Sequence, residues 1–185
     1  MIFTRLSYNT LNWERPSGLV GKSKNIGVHE NDYRFGFEEW IRSNDCFLID
    51  KEEKKFHFGY IEGIHKNYKG DDENDRLILF TINCGTCQRF IVGEIKSWNF
   101  VTPEESLWIV NQYPQSIISM RDELVRATNN FQPAINKFNQ HADSQNGFQL
   151  FNIKYNSMNY YFNSKNPINI DNGVQKLNRF WLYRR

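Results

Sequence analysis

Short strand-forming runs follow one another from residue 46 to residue 98, and their spacing constrains the fold more than any other feature of the sequence. The runs are CFLID (46–50), FHFGYIEGI (56–64), RLILFTIN (76–83) and QRFIVGEIKSW (88–98), and MIFTRLSY (1–8) precedes them. Neighbouring strands joined by short turns pair antiparallel, because parallel pairing needs a crossover of about a dozen residues or more. The spacing therefore predicts a curled, mostly antiparallel sheet or barrel.

A helical pattern replaces the strand pattern after residue 101. Thr102, Pro103 and Glu105 form a capping box with proline at the first helical position, and Pro114 begins a second helix. A third helix is indicated around residues 131–138. The sequence predicts one α+β domain over residues 1–185, with a strand-rich part (1–100), a helical insert (about 102–140) and closing strands (148–185).

Composition sets limits on the partners of the chain. The formal charge is +2 and the pI is about 8.4, so the sequence lacks the strong basic field of proteins that bind nucleic acid through phosphates alone. No apolar run approaches the length of a membrane span. We expect a soluble, cytoplasmic protein that makes no membrane contact.

The three cysteines do not indicate a secreted disulfide framework. Cys84 and Cys87 form a C-x-x-C motif, but no second pair of cysteine or histidine residues has the spacing of a zinc site. A strand pattern follows Cys87, where a thioredoxin-like motif needs a helix. The motif is interpreted as a hairpin connection with Gly85 at its turn, and no metal or cofactor is expected.

The segment from Asn9 to Trp40 combines glycines, basic residues and aromatic residues with little apolar periodicity. A loop of this length in a compact domain is either functional or disordered, and its aromatic content argues against disorder. Aromatic rings on such a loop form a stacking surface for a flat ligand, and Arg15, Lys22 and Lys24 are positioned to meet phosphates. The alternative is that the rings fill the core.

Catalytic constellations were sought and none was found. The four histidines are scattered without metal-ligand spacing, and the common hydrolase and metalloprotease motifs are absent. Glu38 and Glu39 are adjacent, so their side chains diverge and make a poor acid/base pair. The sequence therefore indicates recognition rather than catalysis.

The first hundred residues contain the pattern N-T-x-x-W-x-x-P-S-G-x-x-G-K-S, then H-E, then G-F-E-E-W, then F-x-F-G-Y-I-E-G-I. This pattern resembles the N-terminal reading domain of modification-dependent restriction endonucleases, a member of the PUA superfamily close to the EVE and YTH types. The residues that carry the resemblance are Asn9, Thr10, Trp13, Pro16, Ser17, Gly18, Gly21, Lys22, Ser23, His29, Glu30, Gly36, Glu38, Glu39, Trp40, Phe58, Gly59 and Gly63.

The resemblance implies a PUA-like pseudobarrel that binds a methylated cytosine or adenine in duplex DNA after turning the base out of the helix. It implies binding without cleavage, because the HNH nuclease that usually accompanies such a reader is not in these 185 residues. A nuclease domain or subunit is thus an expected partner. Phe37 stands where the family has a histidine, which removes one expected hydrogen bond.

With this family in view, the sequence predicts a base pocket and a phosphate-binding set. Trp13, Trp40 and Tyr60 are the predicted walls, and Asn9 and Glu38 the predicted readers of the base edge. The predicted phosphate-binding residues are Arg15, Ser17, Lys22, Ser23 and Lys24. Two alternatives stay open: a nuclease or base-processing enzyme whose site has no recognised motif, and an RNA-binding PUA-type module.

Overall fold

A computed structural model describes residues 2–25, 28–64, 76–156, 158–160, 168–169 and 183–184 of the chain. The strands are β1 (Ile2–Leu6), β2 (Phe47–Ile49), β3 (Lys55–Gly59), β4 (Leu77–Asn83), β5 (Gln88–Ile95), β6 (Asn99–Phe100), β7 (Ile153–Tyr155), β8 (Met158–Tyr160), β9 (Ile168–Asn169) and β10 (Tyr183–Arg184). The helices are α1 (His29–Tyr33), α2 (Pro103–Gln112), α3 (Pro114–Thr128) and α4 (Gln132–Ala142). These elements confirm the α+β class. Residues 65–75, which connect β3 to β4 in the sequence, lie outside the described residues. Parts of the predicted closing strands (148–185) also lie outside them.

The first sheet has the strand order β10-β1-β4-β5-β8, and β9 also pairs with β5. The β4 and β5 strands form the predicted antiparallel hairpin, with a register shift between Leu79 and Phe80. In contrast, β1 runs parallel to β4, with Ile2 opposite Leu77. This parallel pair departs from the predicted antiparallel pattern, and it is feasible because a long loop and the β2–β3 hairpin separate the two strands in sequence.

The second sheet has the order β2-β3-β7-β6, and each neighbouring pair in it is antiparallel. Phe56 and Phe58 of β3 pack into an apolar cluster with the helices, whereas Ile153 and Tyr155 of β7 pack into the cluster beneath the first sheet. The second sheet thus has apolar partners on both sides. Over the described residues the two sheets stay separate, so of the two predicted arrangements, a curled sheet or a barrel, the closed barrel is not formed.

The helices begin where local sequence chemistry places them. The Thr102 hydroxyl accepts a hydrogen bond from the Glu105 amide at 3.2 Å, and Pro103 and Pro114 occupy the first turns of α2 and α3. In α3, Ile117 and Leu124 lie on the buried face that packs against the second sheet and α4. None of the described helices has the length and apolar character that a membrane crossing requires.

The buried carboxylate of Glu39 organises the irregular segment that follows β1. Glu39 lies on a 3₁₀ turn, Phe37–Trp40, and its side chain is fully buried. Lys22 Nζ lies 2.6 Å from Glu39 Oε1, and the Asn9 amide donates to Oε2 at 2.7 Å. The backbone amides of Ser17 and Gly36 donate to the same carboxylate, each at 2.9 Å. One side chain therefore ties together four separated points of the chain.

Asn9 extends this network into the next turn. Its side-chain oxygen accepts hydrogen bonds from the amides of Leu11 and Trp13 at 2.6 and 3.0 Å, and its amide group also donates to the Arg15 carbonyl at 2.8 Å. An asparagine side chain has two donor hydrogens and one acceptor oxygen, so these bonds occupy its capacity. Its role is to hold the loop in shape.

We predict that Lys22→Met lowers the free energy of unfolding by about 3–5 kcal/mol, because it leaves the buried Glu39 carboxylate without its cation. Lys24→Met is the matched control, since Lys24 is exposed two residues away and should change stability by less than about 0.5 kcal/mol. Urea denaturation measures both variants. Equal effects of the two substitutions would contradict the organising role of the Lys22–Glu39 pair.

Candidate functional site

A cavity of about 660 Å³ opens among β1, the 3₁₀ turn at 37–40, the β4–β5 hairpin and α4. Cavities of this size are typical of small-ligand sites. Its lining divides by chemistry into an aromatic wall, a buried acid and a polar end.

The aromatic wall consists of stacked rings from distant parts of the chain. Phe37 stacks on His141 of α4 with ring centroids 3.8 Å apart, and His141 in turn stacks on Phe148 at 4.8 Å. Tyr60 packs beside Phe37 with centroids 5.5 Å apart. Burial lowers the pKa of His141 to about 4, so its ring is neutral at pH 7. The wall offers uncharged flat surfaces to a ligand.

Glu38 supplies the buried acid. Its side chain accepts a hydrogen bond from the Ser7 hydroxyl at 3.2 Å, and Gly36 lies against both groups. A Cβ atom at position 36 would collide with them, so this approach requires glycine. Burial raises the pKa of Glu38 to about 8, and the nearby Glu62 carboxylate adds to the increase. At pH 7 the group is therefore a neutral carboxylic acid with one donor and one acceptor side.

The polar end of the cavity is built around Glu30. This residue is 1% exposed, and its carboxylate lies 3.6 Å from the Arg5 guanidinium. The Ser23 amide donates to Glu30 Oε2 at 3.3 Å, and Arg5 also contacts the Cys84 sulfur at 3.7 Å. The cation and the anion offset each other, so the Arg5–Glu30 pair supplies hydrogen-bonding groups without a net charge of its own.

The structure places two predicted wall residues elsewhere. Trp13 is fully buried beneath the first sheet, and its indole N–H donates to the Ser7 carbonyl at 2.9 Å. Trp40 is 2% exposed in the helical cluster, and its indole donates to Glu123 at 2.8 Å. Both rings gain more by filling the core than by facing solvent, and both N–H groups have internal partners. The prediction that they line the pocket is therefore wrong.

The other predicted residues divide between the cavity and the scaffold. Tyr60, Glu38 and Ser23 line the cavity. The prediction that Asn9 reads a base edge is wrong, because its side chain is committed to the loop. Lys22 and Ser17 bind Glu39 rather than facing outward, which corrects their predicted phosphate role. Arg15 and Lys24 are exposed, as phosphate binding requires.

Sequence reasoning missed most of the cavity lining. Phe37 is next to the predicted Glu38, but His141 and Phe148 come from a distant helix and the loop after it, and no local pattern marks them. Arg5 and Ser7 were read only as part of a strand. The strand alternation of β1 was the available signal, because residues 5 and 7 of a strand point to the same face.

The C-x-x-C motif lies at the turn between β4 and β5. Cys84 and Cys87 are free thiols at the β4–β5 turn, which confirms the hairpin interpretation of this motif. Within the part of the chain that the structure describes, no group of three histidine, cysteine or acidic side chains is arranged to hold a metal ion.

No family model, curated protein or solved structure matches the chain.

The raised pKa of Glu38 affects stability in a defined pH range. The native state keeps a proton that the unfolded chain, with an ordinary pKa of 4.5, releases. Its stabilising contribution is therefore full below pH 4.5 and is lost as the pH rises to about 8. Burial lowers the pKa values of His29 and His141 to about 4, below the value of 6.5 that they have in the unfolded chain. These two histidines therefore make the free energy of unfolding rise with pH, mainly between pH 4 and 6.5.

We predict that the free energy of unfolding falls by about 1 kcal/mol between pH 7 and 8.5, because Glu38 loses its proton in this range while the histidines of the unfolded chain are already mostly neutral. Glu38→Gln cannot ionise and should flatten the decline. Urea denaturation at the two pH values measures the effect. The same decline in the variant would show that another group causes it.

Proposed function

We propose that this chain is a DNA reader that binds a modified base, turned out of the duplex, in the cavity beside Glu38. The observation that carries the proposal is the combination of a stacked aromatic wall with a buried neutral acid in one cavity large enough for a base. The sequence pattern supports it independently, because it resembles readers of the PUA superfamily. A PUA-like origin of the fold is part of the same proposal.

The aromatic wall supplies the energy that such a mechanism requires. Turning a nucleotide out of a duplex costs a few kcal/mol. Stacking on aromatic rings returns about 1–3 kcal/mol per base, and one buried methyl group adds roughly 0.8 kcal/mol. Tyr60 and Phe37 are the rings placed for this role, whereas His141 lies between Phe37 and Phe148 and supports the wall. Because the methyl contribution is small, recognition also needs a polar partner for the base edge.

Glu38 is suited to be that partner. Cytosine and adenine each present, along the Watson–Crick edge, a ring nitrogen acceptor next to an exocyclic amino donor, and flipped bases are read at this edge. A protonated carboxyl group complements the pair, since its O–H donates and its C=O accepts. A charged carboxylate would lack the donor and would repel the DNA backbone. Because its pKa is raised to about 8, Glu38 is protonated at pH 7, so it has the O–H donor and carries no charge.

Basic residues around the cavity are available for the flanking backbone. Arg89 and Lys137 line the cavity, and Lys24 is exposed next to the lining residues Ser23 and Asn25. Phosphate contacts of this kind position a duplex without reading its sequence. In this proposal the chain binds DNA and does not cut it, and cleavage belongs to a nuclease domain or subunit that acts with it.

We predict that the protein prefers a duplex carrying 5-methylcytosine or N6-methyladenine over the unmodified duplex, measured by fluorescence anisotropy at fixed salt. Tyr60→Ala should weaken binding of the preferred duplex by about 5- to 150-fold, which corresponds to one lost stacking contact. Tyr60→Phe keeps the ring and should bind as the wild type does. Equal binding of all duplexes would contradict the proposal and leave only phosphate contacts.

We predict that the preference for the modified duplex declines as the pH rises through about 8, because Glu38 then loses the proton it donates. Glu38→Gln keeps one donor and one acceptor, so it should retain the preference from pH 7 to 9. Glu38→Ala should lack the preference at each pH. A pH dependence that persists in Glu38→Gln would exclude Glu38 as the edge reader.

A further inference from the structure

We propose that the base read in this cavity carries a hydroxyl-rich substituent such as a sugar, and that this substituent binds at the Arg5–Glu30 end. The inference rests on the proposed function, because it uses the same cavity and the same bound base. It departs from the resemblance, which implies a methyl group. Three observations support it: the volume of the cavity, unpartnered polar atoms at its end, and the balance of charge there.

The cavity is larger than a methylated base requires. Its volume is about 660 Å³, and liquid water occupies about 30 Å³ per molecule, so it has room for roughly twenty water-sized groups. A methylated pyrimidine has about ten non-hydrogen atoms and would fill roughly half of that space. A base stacked on Tyr60 and Phe37 therefore leaves the Arg5–Glu30 end unfilled.

Two buried polar atoms beside this unfilled space have no hydrogen-bond partner among the described residues. They are Glu30 Oε1 and His29 Nε2, and both residues line the cavity. Buried polar atoms are nearly always hydrogen-bonded, and an unsatisfied one is costly. A methyl group offers neither a donor nor an acceptor. A hydroxyl group donates to the Glu30 carboxylate and accepts from a donor such as Arg5.

The charge at this end favours a neutral ligand. Arg5 and Glu30 form an ion pair at 3.6 Å with side chains only 8% and 1% exposed. Burial, together with His141 and Lys137, lowers the pKa of His29 to about 4, so that ring is neutral at pH 7. A phosphate would meet the Glu30 carboxylate and an amine would meet the Arg5 guanidinium. A neutral group with several hydroxyls satisfies both residues.

The test compares binding of four matched duplexes that carry, at one position, cytosine, 5-methylcytosine, 5-hydroxymethylcytosine or glucosylated 5-hydroxymethylcytosine. We expect the glucosylated duplex to bind at least about tenfold more tightly than the 5-methylcytosine duplex, which corresponds to one or two extra hydrogen bonds. Fluorescence anisotropy at fixed salt provides the dissociation constants. The readout is the ratio of the two constants for each protein, because a partly unfolded variant weakens both to the same extent.

Glu30→Gln should reduce this ratio by at least about threefold, because it weakens a charge-assisted hydrogen bond to a hydroxyl. Glu14→Gln is the matched control, since Glu14 is exposed and is not among the residues that line the cavity, so it should leave the ratio unchanged. His29→Phe keeps an aromatic ring against Phe35 and Phe37 but removes Nε2, and it should also lower the ratio. This second variant tests the inference if Glu30→Gln does not fold.

The possible outcomes separate the inference from the proposed function. A preference for 5-methylcytosine or 5-hydroxymethylcytosine over the glucosylated base would overturn the sugar and leave the modified-base reader intact. Equal binding of all four duplexes would overturn the reader itself. A ratio that neither Glu30→Gln nor His29→Phe changes would place the substituent elsewhere in the cavity.

Discussion

The buried carboxylate of Glu39 is the interaction on which the irregular part of the molecule depends. Residues 7–25 contain no α-helix or β-strand, so neither a sheet nor a helix holds them. Glu39 replaces that support by accepting hydrogen bonds from Lys22, Asn9 and two backbone amides. Loss of one partner would leave the buried Glu39 charge incompletely paired, which costs free energy of folding. These contacts are therefore expected to form together. The position of the cavity beside this loop follows from the same constraint.

The 3₁₀ turn at 37–40 distributes four consecutive side chains to four different tasks. In a 3₁₀ helix successive residues are about 120° apart, so neighbours cannot share an environment. Phe37 stacks on His141, Glu38 faces the cavity, and Glu39 binds the loop, whereas Trp40 fills the core. The two adjacent acids therefore differ chemically. Glu38 is desolvated beside a hydroxyl group, while Glu39 has a lysine and amide donors within 3 Å.

Local sequence signals predicted the elements well, and long-range arrangement poorly. The N-cap at Thr102 and the turn at Gly85 could be predicted because their chemistry is contained in a few residues. The parallel pairing of β1 with β4 depends on contacts far apart in sequence, and no local pattern specifies it. The lining of the cavity likewise depends on contacts between residues far apart in sequence, so no local pattern predicts it. Trp13 was assigned to the cavity because composition does not distinguish a ring in the core from a ring in a binding site, and His141 was missed because it reaches Phe37 from a distant helix.

The residues that carry the family resemblance divide between the loop and the cavity, because His29, Glu30 and Glu38 of the pattern line the cavity. Asn9, Ser17, Lys22 and Glu39 belong to the pattern, and each is used to build the loop. His141 and Phe148 line the cavity and lie outside the pattern. The pattern therefore includes the acidic residues of the cavity, whereas α4 and the loop after it supply His141 and Phe148. In the proposed function, both groups of residues together determine which base this chain binds.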